Sequence, residues 1–169
     1  MNYDDEVGHD DTLEREQFEE EERKQFIKAR IEHEWMSDWI SMQAAMENPV
    51  YDKINPHFDS QYASLESVIK ATIKVANKYN FAVVQELMND ENSVGCITHI
   101  FHRSGYQRSY GPFFITPQKQ GPHGAGSAAS YSKRYSLMAI FGVDGEKDDD
   151  GNIAMGTNNF AQDGLEELN

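Results

Sequence analysis

Residues 124–142 read Gly-Ala-Gly-Ser-Ala-Ala-Ser-Tyr-Ser-Lys-Arg-Tyr-Ser-Leu-Met-Ala-Ile-Phe-Gly, and this stretch constrains the fold more than any other. Ser127 stands where a helix starts, no Gly or Pro interrupts the run to Phe141, and Gly142 stands where the helix stops. The spacing therefore predicts a helix over 127–141. At about 100° per residue, Ala128, Tyr131, Tyr135, Met138 and Ala139 share one stripe, the expected packing face. Lys133 and Arg134 lie together on the far side, flanking Leu137. Such a pair is either the solvated face of an amphipathic helix or two cations held at fixed spacing for an anionic ligand. Periodicity leaves both readings open.

The rest of the chain supplies something for this helix to pack on. Residues 1–12 are charged and nearly devoid of large aliphatics, so disorder is expected there. A long amphipathic helix over 13–47 follows, with Ile27, Ile31, Trp35, Trp39, Met42 and Met46 at three- and four-residue steps. Both tryptophans sit on that stripe. It suits the chain's own core, the default, or a neighbouring subunit. Asn48-Pro49 ends the helix. In the loop over 50–63, Phe58 and Tyr62 either anchor the loop to the core or offer rings for stacking.

Ser64 is a credible N-cap for a helix to about Asn80 that buries Leu65, Ile69, Thr72, Ile73 and Ala76 and carries Lys70, Lys74 and Lys78 on another face. Strands are expected over 81–87, 94–101 and 106–115, joined by turn-rich segments. The middle one alternates apolar groups on both sides, which predicts that both faces are partly covered. Taken together, the order predicts an α+β fold: an antiparallel three-stranded β-meander with helices packed on it, between acidic tails. In the tail over 144–169, Met155 and Phe160 are the candidate docking points.

The net charge of −14 argues at first against a polyanionic ligand. Its distribution reverses the argument. Residues 1–22 hold eleven acids against Arg15 alone, and residues 144–169 hold eight against Lys147 alone, so the segment between them is net positive by 3. The acidic ends act either as solubilising tails or as competitors with nucleic acid for the basic surface. Near the second turn gather His102, Arg103, Tyr106, Arg108 and Tyr110, with Lys119 in the polar loop beyond. Cations with flat rings are what a single strand requires, although any exposed hairpin can carry them.

Other chemistries fit poorly. A calcium loop with Gly151 at its sixth position places Thr157 where a bidentate Glu is needed. The acids at 148–150 lie in a tail, whereas metal-dependent nuclease chemistry needs carboxylates on rigid elements. There is no Walker lysine motif and no metal-spaced Cys or His cluster. The lone Cys96 is expected as a small core residue in a reducing cytoplasm, and no apolar run reaches membrane-spanning length.

The string over 126–143, followed by Asp148-Asp149-Asp150-Gly151-Asn152, resembles the signature of the ERF (essential recombination function) family of phage single-strand annealing proteins. A second block, Asn-Pro-His-Phe-Asp-Ser-Gln-Tyr-Ala-Ser-Leu over 55–65, fits the same family. The resemblance covers about 55–152 within an expected core of 48–143 plus the start of the tail. It implies a β-β-β-α core similar to that of the eukaryotic ring-forming annealing protein, and assembly into rings or filaments that hold single-stranded DNA. The implied activity is ATP-independent annealing in the host cytoplasm. It involves no cofactor and no bond-making by the protein, and it names a host single-strand-binding protein or a phage exonuclease as further partners. The resemblance points to Lys133 and Arg134 as the main phosphate contact; Arg103, Arg108, Lys119, Tyr106 and Tyr110 join them on chemistry alone. A non-annealing single-strand-binding protein and an acidic protein-interaction module remain the alternatives.

Overall fold

The structure is a computed structural model that describes residues 10–55 and 60–146. His57 and Phe58, the acidic triplet at 148–150, and Met155 and Phe160 lie outside the described residues. The element order is α1 (Asp10–Ala44), β1 (Lys53–Asn55), β2 (Ser60–Tyr62), α2 (Leu65–Ala71), α3 (Ile73–Lys78), β3 (Phe81–Asp90), β4 (Ser93–His102), β5 (Gln107–Ile115) and α4 (Pro122–Phe141).

Strands β3, β4 and β5 form the expected antiparallel meander in that spatial order. Phe81 pairs with His102 and Asp90 with Ser93, so the first turn shrinks to Glu91 and Asn92. Pairing of β4 with β5 shifts register between Cys96 and Thr98, where Gly111 and Pro112 bulge out of β5. Gly111 has a φ of 99°, and a Cβ there would crowd the Cys96 carbonyl at 3.0 Å, so the bulge sits where only glycine fits comfortably.

Alternation along the strands sends Phe81, Val83, Cys96, Thr98, Ile100 and His102 to one face. There Phe81, Ile100 and the tryptophan stripe of α1 build the core with Met42, Val68, Leu137 and Phe141. Trp35 stacks on Trp39 at 5.1 Å and meets Phe81 edge-on, while Trp39 reaches Phe141 at 5.9 Å. Both tryptophans therefore belong to the chain's own core. The first half of α1 carries exposed Phe18 (64%) and Phe26 (72%).

The opposite sheet face presents Val84, Phe101 and Phe114, all exposed, with no described element packed over it. The alternating apolar pattern of β4 thus predicted a second cover that the described residues do not provide. The helix expected over 64–80 is two short ones. Ser64 caps α2 as expected, its Oγ accepting from the Ser67 amide, but the helix breaks at Thr72, whose hydroxyl donates to the Val68 carbonyl at 2.7 Å. Such back-bonding competes with regular helix geometry.

The loop over 50–63 and the start of the tail are more ordered than expected. The loop over 50–63 contains a small antiparallel ribbon, Lys53 opposite Tyr62. The supposed flexible tail begins packed: Gly145 accepts from the Ala63 amide at 2.7 Å, Glu146 bridges Tyr62, and the Asn48 side chain accepts from the Asp144 amide. These contacts hold residues 144–146 against the end of β2 and the segment after α1.

Helix α4 starts earlier than expected, with Pro122 in its first turn, and ends at Gly142 in the left-handed conformation. Gly124 serves close approach: a Cβ there would overlap the Lys119 carbonyl. The packing face is also different from the predicted one. Gly124, Ala128, Ser132, Arg134, Leu137 and Phe141 are buried, whereas Tyr131 is 42% exposed and Ala139 is exposed. The helix is clasped between the sheet and α2, so it buries two flanks rather than one stripe.

Candidate nucleic-acid interface

Two anchors fix α4 against the sheet. Ser132 donates to the Phe113 carbonyl at 2.6 Å, and the Gln85 amide donates to the Lys133 carbonyl at 3.0 Å while also reaching Thr98. Cys96 is buried beneath them, as expected, within 3.4 Å of the Ser132 and Ser136 hydroxyls. Lys133 consequently borders β3. Arg134, one residue on, borders the β1–β2 ribbon.

The two neighbouring cations therefore do not form one exposed patch, which corrects the expectation for them. Lys133 is half-buried, with no ion-pair partner among the described residues. Arg134 is 5% exposed: one guanidinium nitrogen donates to the Ala63 carbonyl at 3.0 Å, and the other reaches the Tyr135 hydroxyl at 3.2 Å and Glu146 at 3.5 Å. The rings of Tyr62, Tyr131 and Tyr135 surround the guanidinium carbon at 4.8–4.9 Å. Burying an arginine is costly unless its charge is matched, and here three π faces and one carboxylate supply the match. The Arg134 Nε is nevertheless buried without a hydrogen-bond acceptor.

Tyr135 donates to Glu146 at 2.6 Å, and burial, followed by that bond, raises its phenol above the usual tyrosine value. The tyrosines predicted to pack into the core thus build a cage around the arginine predicted to face solvent. A sequence signal for part of it existed: Arg134 lies three residues beyond Tyr131, a spacing that puts both on one side of a helix. Nothing in the spacing announced Tyr62 or Glu146, which come from other elements.

The hairpin residues follow the edge strand β5. At one end Arg103, 58% exposed, bonds Glu34 of α1 at 3.0 Å, while His102 is buried against Asp38 at 3.1 Å. Tyr106 packs on Trp35 at 5.1 Å and belongs to the core, so it offers no open stacking face in this arrangement. Near that same end, at the start of β5, the exposed Arg108 lies over the Tyr110 ring at 5.2 Å, and burial raises the Tyr110 phenol. At the far end Lys119 is exposed beside the β3–β4 turn, across a hollow lined by Asn89, Glu91 and Asn92. Arg103 and Lys119 lie beyond opposite ends of β5, a strand of nine residues about 30 Å long at the usual rise. The candidate residues are spread along a track, which suits an extended polymer better than a compact ligand.

Among the described residues no group of three or more His, Cys, Asp or Glu side chains is placed to hold a metal ion, and no helix is long and apolar enough to cross a membrane.

A three-stranded meander with a clasped helix, edged by cations and tyrosines, is the class of protein that the residues alone define. The chain belongs to the ERF superfamily, whose family model matches residues 19–168. The match extends beyond the two motif blocks to take in most of α1 and the acidic end. No curated protein and no solved structure matches the chain. Family membership suggests a role in recombination by strand annealing.

Proposed function

We propose that the protein binds the backbone of single-stranded DNA as a homo-oligomer and anneals it to a complementary strand without ATP. The observation that carries this reading is the set of exposed cations at Arg103 before β5, Arg108 on it and Lys119 beyond it, in a chain of the ERF superfamily. The span of that set fits a strand rather than a nucleotide. Lys133 adds a cation on the other flank of α4, and Tyr110 adds a ring backed by Arg108. Arg134 contributes through the surface of its cage. The free energy of pairing comes from the two strands themselves; the protein extends and aligns one of them, lowering the kinetic barrier. Host single-strand-binding protein and a phage exonuclease are the partners that this role calls for.

The test is annealing of complementary oligonucleotides with no nucleotide triphosphate present, followed by binding to oligo(dT) over a range of salt. Accelerated annealing supports the proposal; binding without acceleration favours a protective single-strand-binding protein; no binding, with capture of a basic protein instead, favours an interaction module. Lys133→Ala combined with Arg108→Ala removes two phosphate contacts and should flatten the dependence of log affinity on log salt by about 1.4. A folded double variant with the wild-type slope would show these side chains to be bystanders.

A further inference from the structure

We propose that the Glu146 carboxylate holds the place of a DNA phosphate on Arg134 and Tyr135, and that strand binding displaces it and releases residues 144–146 from α4. This inference rests on the single-strand-binding reading above and assigns a self-occluding contact to it.

The Arg134 side chain is 6% exposed and Glu146 is 53% exposed, so the carboxylate is the outer member of the pair. Removing it uncovers the guanidinium edge and the Tyr135 hydroxyl together. Tyr131, 42% exposed, already reaches the surface beside them.

The present anion is also an imperfect partner. Its contact with Arg134 is 3.5 Å, against about 2.7–2.9 Å for a well-formed charge-assisted hydrogen bond, and its short bond goes to Tyr135 instead. The buried Arg134 Nε has no acceptor. A phosphodiester carries one negative charge, like the carboxylate, on two non-bridging oxygens. It can therefore accept from Arg134 and Tyr135 while keeping the charge on the arginine matched. The surrounding Tyr62 and Tyr131 rings give an adjoining sugar or base a flat surface.

Val143 is buried and its amide bonds the Met138 carbonyl, so the part that can leave is the segment over 144–146. Its backbone is tied by the bond from Ala63 to Gly145 and by the amide of Asp144 on Asn48, while the Asp144 carboxylate accepts from the Glu146 amide within the segment itself. A single free phosphate competes poorly with a tethered carboxylate. A polymer that also engages Lys133 competes well, because its remaining contacts raise the local concentration of the incoming phosphate.

The experiment measures oligo(dT) affinity of the full chain at about 50 mM salt, where screening is weak, for wild type, Glu146→Gln and the control Glu32→Gln. Glu32 is exposed on α1 and removes the same unit of charge. Glu146→Gln should bind about tenfold more tightly, since a charge-assisted bond no longer has to be given up, and Glu32→Gln should stay within about twofold. Independently of any variant, the Ala63 amide of wild-type protein should be protected from hydrogen exchange in the free state and lose that protection with saturating oligo(dT). If wild type binds oligo(dT), yet Glu146→Gln binds no more tightly and the Ala63 amide stays protected in the complex, displacement is refuted and the binding reading survives. If wild type binds no single strand at all, both fall.

Discussion

Two glycines of α4, two residues apart, do opposite work. The Gly124 Cα faces the Lys119 backbone so closely that a methyl group would overlap the carbonyl oxygen, whereas a Cβ at Gly126 meets nothing within 4 Å. Gly124→Ala should therefore cost about 1–3 kcal/mol as overpacking against main chain that cannot swing aside. Gly126→Ala should add up to about 1 kcal/mol by removing backbone freedom from the unfolded chain and improving helix propensity. Urea unfolding midpoints shifted in opposite directions would bear this out; equal shifts would show that α4 starts later in solution. At this scale, residue chemistry alone predicted the Ser64 cap, the Gly142 stop and the buried Cys96 correctly. It failed for Arg134, because a cation's usual preference for solvent gave way to three tyrosines, one of them 72 residues away in sequence.

Between elements, the most informative joint is that of α1 with the β4–β5 turn. Asp38 accepts from Asn80 at 2.9 Å and from His102 at 3.1 Å, and these bonds hold its carboxyl below the usual aspartate range. A folded-state value lower than the unfolded one contributes stability above about pH 4 that is lost as the pH falls through the folded value. Asp38→Asn should thus cost about 1 kcal/mol near pH 7, a modest figure because the side chain is partly solvated. The gap from wild type should narrow as the pH falls below about 4. Chemical unfolding across pH 3–7 reads this directly, and a gap independent of pH would mean that Asp38 acts through packing. The meander and the long helix were legible because their periods of two and 3.6 ran over many residues. The β1–β2 ribbon was not, since three-residue strands carry too few alternations to register, and the two-flanked burial of α4 reads as no single stripe.

For the whole molecule, the described surface leaves much apolar area uncovered. Phe18 and Phe26 project from α1, and Val84, Phe101 and Phe114 from the open sheet face. Exposed apolar surface spread over a helix and a sheet is unusual for a monomer, and both β3 and β5 are unpaired on their outer edges among the described strands. The expected outcome of light scattering at micromolar concentration is a homo-oligomer, in rings or filaments. A monomer-sized species alone, with and without single-stranded DNA, would contradict it.

The contact of Arg103 with Glu34 has a mechanical meaning beyond stability. Helix α1 is about 52 Å long at 1.5 Å per residue, and Glu34 and Asp38 lie where its projecting half meets its packed half. The helix is therefore a lever, with the β4–β5 turn pinned close to its fulcrum. In the homo-oligomer proposed above, a neighbour that tilts the free arm would load the Arg103–Glu34 contact, and with it the turn that carries one of the proposed DNA-binding cations.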